Sequence, residues 1–99
     1  MLVSQIEIEF CSRCGYTLQF EELKKYINEH FPDLIVIGKE GMPGSFEVKI
    51  NGKLIFSKFM TGGFPNHEDI INEIETLISG GNPKLINNTA AKVSICSLS

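Results

Sequence analysis

Near its beginning the chain reads Gln5-Ile6-Glu7-Ile8-Glu9-Phe10-Cys11-Ser12-Arg13-Cys14. Apolar and polar residues alternate as far as Phe10, which is typical of a half-buried β-strand with one face toward a core. Two cysteines in C-x-x-C spacing follow, and an amphipathic segment comes after them. Both thiols are therefore expected at a strand-to-helix junction, where a helix N-terminus and Arg13 favour a thiolate over a thiol. This arrangement predicts dithiol redox chemistry.

The rest of the pattern predicts an α/β fold with the order β-α-β-β-β-α. A parallel β-α-β unit would be followed by an antiparallel hairpin, and both helices could cover the same sheet. This is the arrangement of a thioredoxin-like two-layer sandwich. The predicted elements after the first strand are a helix from about Thr17 to His30, a strand at Leu34–Ile37 covered on both faces and ended by Gly38, a strand at Phe46–Ile50, an Asn51-Gly52 turn, a strand from Lys53 to Phe59, and a helix that Asn66 caps and whose apolar stripe ends at Ile78.

Length and composition predict one small domain with a tail. The chain has 99 residues, 42% apolar content and a formal net charge of −3, which suits a single core. We place the domain at residues 1–81 and a flexible polar tail at residues 82–99. Because no basic cluster is present, nucleic acid is not expected as a partner. We expect a monomer.

The sequence also bears on the compartment. No apolar run approaches the ~20 residues of a membrane span, and the first residues lack the basic and apolar regions of a secretory signal. Three cysteines do not form the paired framework of a small secreted domain. We therefore expect a cytoplasmic protein in a reducing environment.

Several motifs together resemble the selenoprotein W family, also called the Rdx family. They are the C-x-x-C after the first strand, the strand that begins Gly44-Ser45-Phe46, the hairpin, and Gly62-Gly63-Phe64-Pro65 before the last helix. The similarity covers roughly residues 4 to 80, and the polar tail extends it to the branch that contains the migration and invasion enhancer proteins.

The resemblance implies a thioredoxin-like fold and a glutathione-linked thiol oxidoreductase. Selenium-containing members carry selenocysteine at the second position of the motif, which implies that Cys14 is the reactive atom and Cys11 its resolving partner. Glutathione would be a co-substrate, with no bound cofactor, and the partners would be proteins with thiols or disulfides. Some members look more like signalling adaptors than enzymes. Our alternative is therefore a non-catalytic, redox-sensitive adaptor tethered to a membrane.

Two interpretations of the site residues stay open. The cysteines could form half of a zinc site, but the remaining candidate ligands, His30, His67 and Cys96, lack paired metal-ligand spacing, so we favour redox chemistry and expect no metal. Arg13 could lower a thiol pKa by its charge or be a solvated side chain.

The stretch Gly62-Gly63-Phe64-Pro65 has two interpretations as well. It could form a rim where glutathione or a partner thiol approaches the dithiol, or it could be a turn that leads into the last helix. We favour the turn.

The last four residues, Cys96-Ser97-Leu98-Ser99, match a C-a-a-X prenylation box. We expect a prenyl group on Cys96. One such chain gives only marginal, reversible anchoring. The expected membrane association is therefore partial and on the cytoplasmic face. If Cys96 is not lipidated, it is a free thiol that can be glutathionylated.

Overall fold

The strand that precedes the two cysteines is the central element of the computed structural model, which describes residues 5–89. This strand, β1 (Gln5–Phe10), pairs in parallel with one neighbour and antiparallel with the other. The other strands are β2 (Ile35–Glu40), β3 (Phe46–Ile50) and β4 (Lys53–Ser57), and the order in the sheet is β2-β1-β3-β4. The predicted parallel unit and antiparallel hairpin are both confirmed.

Two long helices pack on one face of this sheet. Helix α1 (Thr17–His30) has the predicted bounds, and α3 (His67–Ile78) follows a short helix, α2 (Lys58–Thr61), that was not predicted. Alternation along β1 directs its apolar side chains toward both long helices. The fully buried part of this core includes Ile6, Ile8, Leu23, Ile27, Phe46, Val48, Phe56, Ile70 and Ile74. The predicted two-layer α/β sandwich is confirmed.

Strand β2 differs from the prediction in position and in length. It is an edge strand, and it is not covered on both faces because the long helices pack on only one face of the sheet: Ile35 and Ile37 are 59% and 37% exposed. Both pair with polar positions of β1 and lie on the face without helices. The strand also continues past Gly38 to Glu40, which pairs with Phe10 beside the cysteines. This extension brings a carboxylate to the candidate site.

The hairpin forms at Asn51-Gly52 as predicted. Both residues have positive φ angles, 49° and 87°, as a type I′ turn requires. The return strand ends at Ser57 rather than Phe59, because the Ser57 hydroxyl accepts a hydrogen bond from the Met60 N–H at 3.3 Å and caps α2. A register shift between Val48 and Lys49 accompanies the burial of adjacent apolar residues on β4.

Residues 83–89 differ from the expected mobile tail. Pro83 and Ile86 are buried, and the Ile86 N–H donates to the Ile55 carbonyl of β4 at 2.8 Å. The Lys84 N–H donates to a Glu73 carboxylate oxygen of α3 at 2.7 Å. The expectation of a flexible tail at residues 82–99 is therefore wrong for residues 83–89, which contact β4 and α3. The division at residue 81 otherwise stays a prediction.

Candidate functional site

The dithiol loop begins where β1 ends, and backbone hydrogen bonds hold it at this end of the sheet. The Cys11 N–H donates to the Ser45 carbonyl at 3.0 Å, which ties the loop to the start of β3. The Cys11 carbonyl accepts from the N–H groups of Cys14 and Tyr16, each at 3.3 Å. The chain thus turns back over Cys11 before α1 starts at Thr17.

The turn leaves the two cysteines in different environments. Both are free thiols, but Cys11 is 2% exposed whereas Cys14 is exposed. The Cys14 sulfur accepts a hydrogen bond from the Gly44 N–H at 3.3 Å. Such a bond to sulfur stabilises a thiolate. Gly44 can present this N–H because its φ of 83° suits a residue without a side chain.

The two thiols influence each other's ionisation. The pKa of Cys11 is lowered, chiefly because the Cys14 side chain hydrogen-bonds to its sulfur, and the Gly44 N–H adds to this effect. The pKa of Cys14 is raised, chiefly by the same hydrogen bond to Cys11. A pair coupled in this way titrates as a unit. The first negative charge is favoured on Cys11, whereas Cys14 is the sulfur that a substrate can reach.

Glu40 is the charged neighbour of this loop. Its carboxylate accepts two hydrogen bonds from Ser12, from the hydroxyl at 2.5 Å and from the N–H at 3.2 Å. These bonds, with a smaller contribution from the Arg13 charge, lower the pKa of Glu40 below its usual range. Its negative charge in turn disfavours the ionisation of both thiols, but this is the smallest of the influences on either pKa.

An open cleft of about 400 Å³ lies beside the dithiol. Arg13 lines it together with Glu40, so the structure places this candidate residue at the site. Its full lining is Cys11, Ser12, Arg13, Glu40, Gly41 and Pro43. The cleft therefore presents one cation and one anion beside Cys11, whereas Cys14 is not part of its lining.

The Gly62-Gly63-Phe64-Pro65 stretch lies on another side of the loop. Gly62 has a φ of 85° and ends α2, and Pro65 is buried directly before Asn66. The Asn66 side chain accepts from the Glu68 N–H at 3.0 Å, which confirms the predicted helix cap. Gly63 faces Thr89, since an added Cβ would lie 3.0 Å from the Thr89 Cγ2 atom. These contacts fit a turn that leads into α3.

Phe64 links this turn to the dithiol loop. Its ring packs edge-on against Tyr16, with the ring centroids 4.9 Å apart, and against Phe46 at 5.3 Å. The Lys58 ammonium lies 5.4 Å from the Tyr16 ring centroid and 5.3 Å from that of Phe64. Phe59 and Met60 of α2 are exposed nearby in the chain. A cation and an aromatic ring thus contact Tyr16, at the end of the dithiol loop.

Sequence reasoning did not identify Gly44, Glu40 and Lys58 as members of the site. Each lies at or near the end of a different strand, and the sheet brings those ends together. The signal available for Glu40 was its place shortly after a predicted parallel strand, because the carboxyl ends of adjacent parallel strands lie at the same edge.

The two histidines lie away from the dithiol. His30 is the last residue of α1 and His67 the first of α3, and their ring centroids lie 4.7 Å and 5.2 Å from that of Tyr26. Within residues 5–89, no group of three or more His, Cys, Asp or Glu side chains is arranged to hold a metal ion. Cys96, the expected lipidation site, lies outside the described residues. Over the same part of the chain, none of the helices has the length and apolar character needed to cross a membrane.

Comparison with known proteins gives a consistent result. The chain is 35% identical over 85 residues to migration and invasion enhancer 1 of Bos taurus, with 86% of this chain and 74% of that protein covered. It is 34% identical over 77 residues to selenoprotein W of Danio rerio, with 75% of this chain and 90% of that protein covered.

A solved structure shows the same thioredoxin-like fold. The crystal structure of a selenoprotein W-related protein from Vibrio cholerae superposes with a TM-score of 0.71 at 29% identity, covering 75% of this chain and 95% of that one. The model of the Rdx family matches residues 5–76, which include the dithiol, Gly44 and the Gly62-to-Pro65 turn. The chain therefore belongs to the Rdx family.

Proposed function

We propose that the protein is a thiol-disulfide oxidoreductase that reduces disulfides of protein partners, with glutathione as its reductant. The observation that supports this proposal most strongly is the pairing of an exposed sulfur with a buried one. Cys14 is exposed, and its sulfur accepts a hydrogen bond from the Gly44 N–H, whereas Cys11 is buried. One sulfur can attack a substrate and the other can complete the exchange.

Solvent exposure decides which of the two sulfurs attacks the substrate disulfide. The first charge is favoured on Cys11, but a sulfur that is 2% exposed cannot approach a partner disulfide in line. In the proposed first step, Cys14 passes its proton to the Cys11 sulfur and bonds to one substrate sulfur. The substrate disulfide breaks, and its second sulfur leaves as a thiolate.

The second step releases the substrate. The departing thiolate takes the proton from Cys11, and Cys11 then attacks the Cys14 sulfur of the mixed disulfide. A Cys11–Cys14 disulfide forms, and the second substrate sulfur leaves as a thiolate that is protonated by solvent. Two thiols are oxidised to one disulfide, and the substrate disulfide gains two electrons. Two glutathione molecules would then reduce the protein disulfide and become glutathione disulfide.

The test is to measure the acidity of the thiols and their equilibrium with glutathione. Ultraviolet absorbance of the thiolate, followed against pH, is expected to show a first ionisation at lower pH in the parent than in Cys14→Ala, because Cys14→Ala removes the hydrogen bond that lowers the pKa of Cys11. Alanine is used because a serine hydroxyl could still donate that bond. Equilibration with mixtures of glutathione and its disulfide gives the potential of the pair.

The two measurements distinguish redox-active thiols from thiols with no special reactivity. Two results support the oxidoreductase: the parent protein equilibrates readily with glutathione, and the first thiol pKa is higher in Cys14→Ala than in the parent. If the first pKa does not change and exchange is no faster than for a small free thiol, the proposal is wrong.

A second candidate is a non-catalytic, redox-sensitive adaptor that is partly bound to membranes through Cys96. It is favoured by the similarity to proteins named migration and invasion enhancer 1, a name that describes a cellular effect. In cells that prenylate proteins, Cys96→Ser is then expected to move the protein from the membrane fraction to the soluble fraction, because the prenyl chain is lost. An unchanged distribution, measured by fractionation beside Ser97→Ala as a control, would remove the lipid anchor from this candidate.

A further inference from the structure

We propose that Glu40 is a positioning residue of the dithiol, whose carboxylate anchors the loop through Ser12 and, by its charge, makes the pair a stronger reductant. This inference rests on the proposed function, since it concerns the regulation of the same site. Glu40 touches neither sulfur through a hydrogen bond of its own; it acts through Ser12 and through its charge.

The anchor is a two-point contact within the C-x-x-C motif. Ser12 lies between the cysteines, and both its hydroxyl and its N–H donate to the same carboxylate, at 2.5 Å and 3.2 Å. The hydroxyl bond fixes the Ser12 side chain, while the N–H bond fixes the backbone of the loop. A charged acceptor strengthens both bonds relative to a neutral one.

The position of Glu40 is set by the sheet. It is the last residue of β2 and pairs with Phe10, the last residue of β1 before Cys11. The next residue, Gly41, continues this contact, because its N–H donates to the Phe10 carbonyl at 2.8 Å. The carboxylate is therefore held by strand pairing rather than by a mobile loop.

The charges around Glu40 keep it ionised at neutral pH. The hydrogen bonds from Ser12 lower its pKa most, and the Arg13 cation lowers it further. Glu9 on β1 lies close to the residue after Glu40, Gly41, since an added Cβ there would lie 2.6 Å from the Glu9 Cγ atom. A negative charge therefore faces the thiols throughout the range in which they ionise.

This charge favours the oxidised form of the pair. A thiolate beside Glu40 is repelled: the carboxylate charge disfavours ionisation of both sulfurs, although it is the smallest influence on either pKa and the pKa of Cys11 is lowered overall by its hydrogen bonds. When the pair becomes a disulfide, two electrons pass to the substrate disulfide, and no sulfur carries a negative charge. Because oxidation relieves the repulsion, the carboxylate makes the dithiol give up its electrons more readily.

The experiment compares three variants of the full chain. Glu40→Gln removes the charge but retains an oxygen that can accept from Ser12. Ser12→Ala removes the hydroxyl anchor but retains the charge. Glu75→Gln, an exposed position on α3, is the matched control for loss of one acidic charge. Thiolate absorbance against pH and equilibration with glutathione are measured for each, and thermal unfolding shows that each variant is folded.

We expect Glu40→Gln to lower the pKa of the pair and to reduce the equilibrium constant for its disulfide against glutathione by about threefold to tenfold. Ser12→Ala should not lower the pKa, because it retains the Glu40 charge, but it should lower the temperature of thermal unfolding, because the hydroxyl bond to Glu40 is lost. Glu75→Gln should change neither quantity.

The proposal is overturned if a folded Glu40→Gln variant keeps the parental pKa, or if Ser12→Ala lowers the pKa as far as Glu40→Gln does. The absorbance titration requires no disulfide exchange. It therefore tests the effect of the Glu40 charge even if the parent does not react with glutathione, a result that would contradict the proposed function instead.

Discussion

Replacing Cys14 by serine is expected to abolish reduction of a protein disulfide such as that of insulin, leaving only the rate of the glutathione in the assay. Cys14 is the exposed sulfur of the pair and the one that the Gly44 N–H contacts. A serine hydroxyl is almost fully protonated at neutral pH, whereas the thiolate is the nucleophile in disulfide exchange. The loss should therefore be complete rather than partial, with the fold unchanged.

Cys11→Ser is expected to fail at a later step. The exposed Cys14 sulfur can still attack, but no neighbouring sulfur is left to release the substrate. A mixed disulfide between this variant and a substrate or glutathione should therefore accumulate, and mass spectrometry of the intact protein would detect it. Cys96→Ser serves as the control for loss of one thiol and should retain full activity.

The assignment would be contradicted by the opposite pattern. If Cys14→Ser retains activity and Cys11→Ser instead loses it without trapping a mixed disulfide, then Cys11 is the attacking sulfur. Its lowered pKa would in that case outweigh its burial. Loss of activity in Cys96→Ser would show that the third cysteine takes part in the exchange.

Local signals in the sequence were sufficient for most of the elements. Helix α1 follows from apolar residues at helical spacing, the hairpin from Asn51-Gly52, and the start of α3 from Asn66. Each of these depends on neighbours only a few residues away. The fold class then follows, because a strand, a helix and a strand form a parallel unit.

What the sequence did not show depends on contacts between distant segments. The apolar run Leu34–Ile37 resembles a fully buried strand, yet its place at the edge of the sheet is set by the pairing of β1 with β3. Residues 83–89 have too few apolar positions for any periodicity, and their burial depends on β4 and α3.

In the candidate site, too, some features follow from local sequence and others depend on contacts between distant segments. Residues 5–17 were sufficient to predict the dithiol and its strand-to-helix context. The groups that change the pKa of the thiols lie further along the chain. Glu40 and Gly44 lie 28 and 30 residues from their partners in the loop. The sequence alone could therefore name the thiols but not their hydrogen-bond donors or their charged neighbour.

The stability of the fold is expected to depend strongly on Gly38. An added Cβ there would lie 2.6 Å from the Phe20 Cζ atom and 3.1 Å from the Phe10 Cε1 atom. The two rings are stacked with centroids 4.7 Å apart, and Lys24 lies over the Phe20 ring at 6.0 Å. Both rings are buried and stacked on each other, so moving the Phe20 ring away from the new Cβ would weaken this packing.

Gly38→Val should therefore reduce the free energy of unfolding by about 1–3 kcal/mol, as overpacking of a core does. Valine has a higher β-propensity than glycine, so strand propensity would not account for a loss of stability. Urea unfolding measures the change. The control is Lys39→Val on the opposite face of the same strand, which removes only an exposed ion pair with Glu7 and should cost at most about 1 kcal/mol.

A double-mutant cycle tests the cause of this loss. Phe20→Leu shortens the side chain that collides with the new Cβ, so the cost of Gly38→Val should be smaller in the Phe20→Leu background than in the parent. Equal costs in the two backgrounds would show that the ring is not the obstacle. A loss that was relieved by Phe20→Leu would establish that the Phe20 ring is the group that excludes a larger side chain at position 38 of β2.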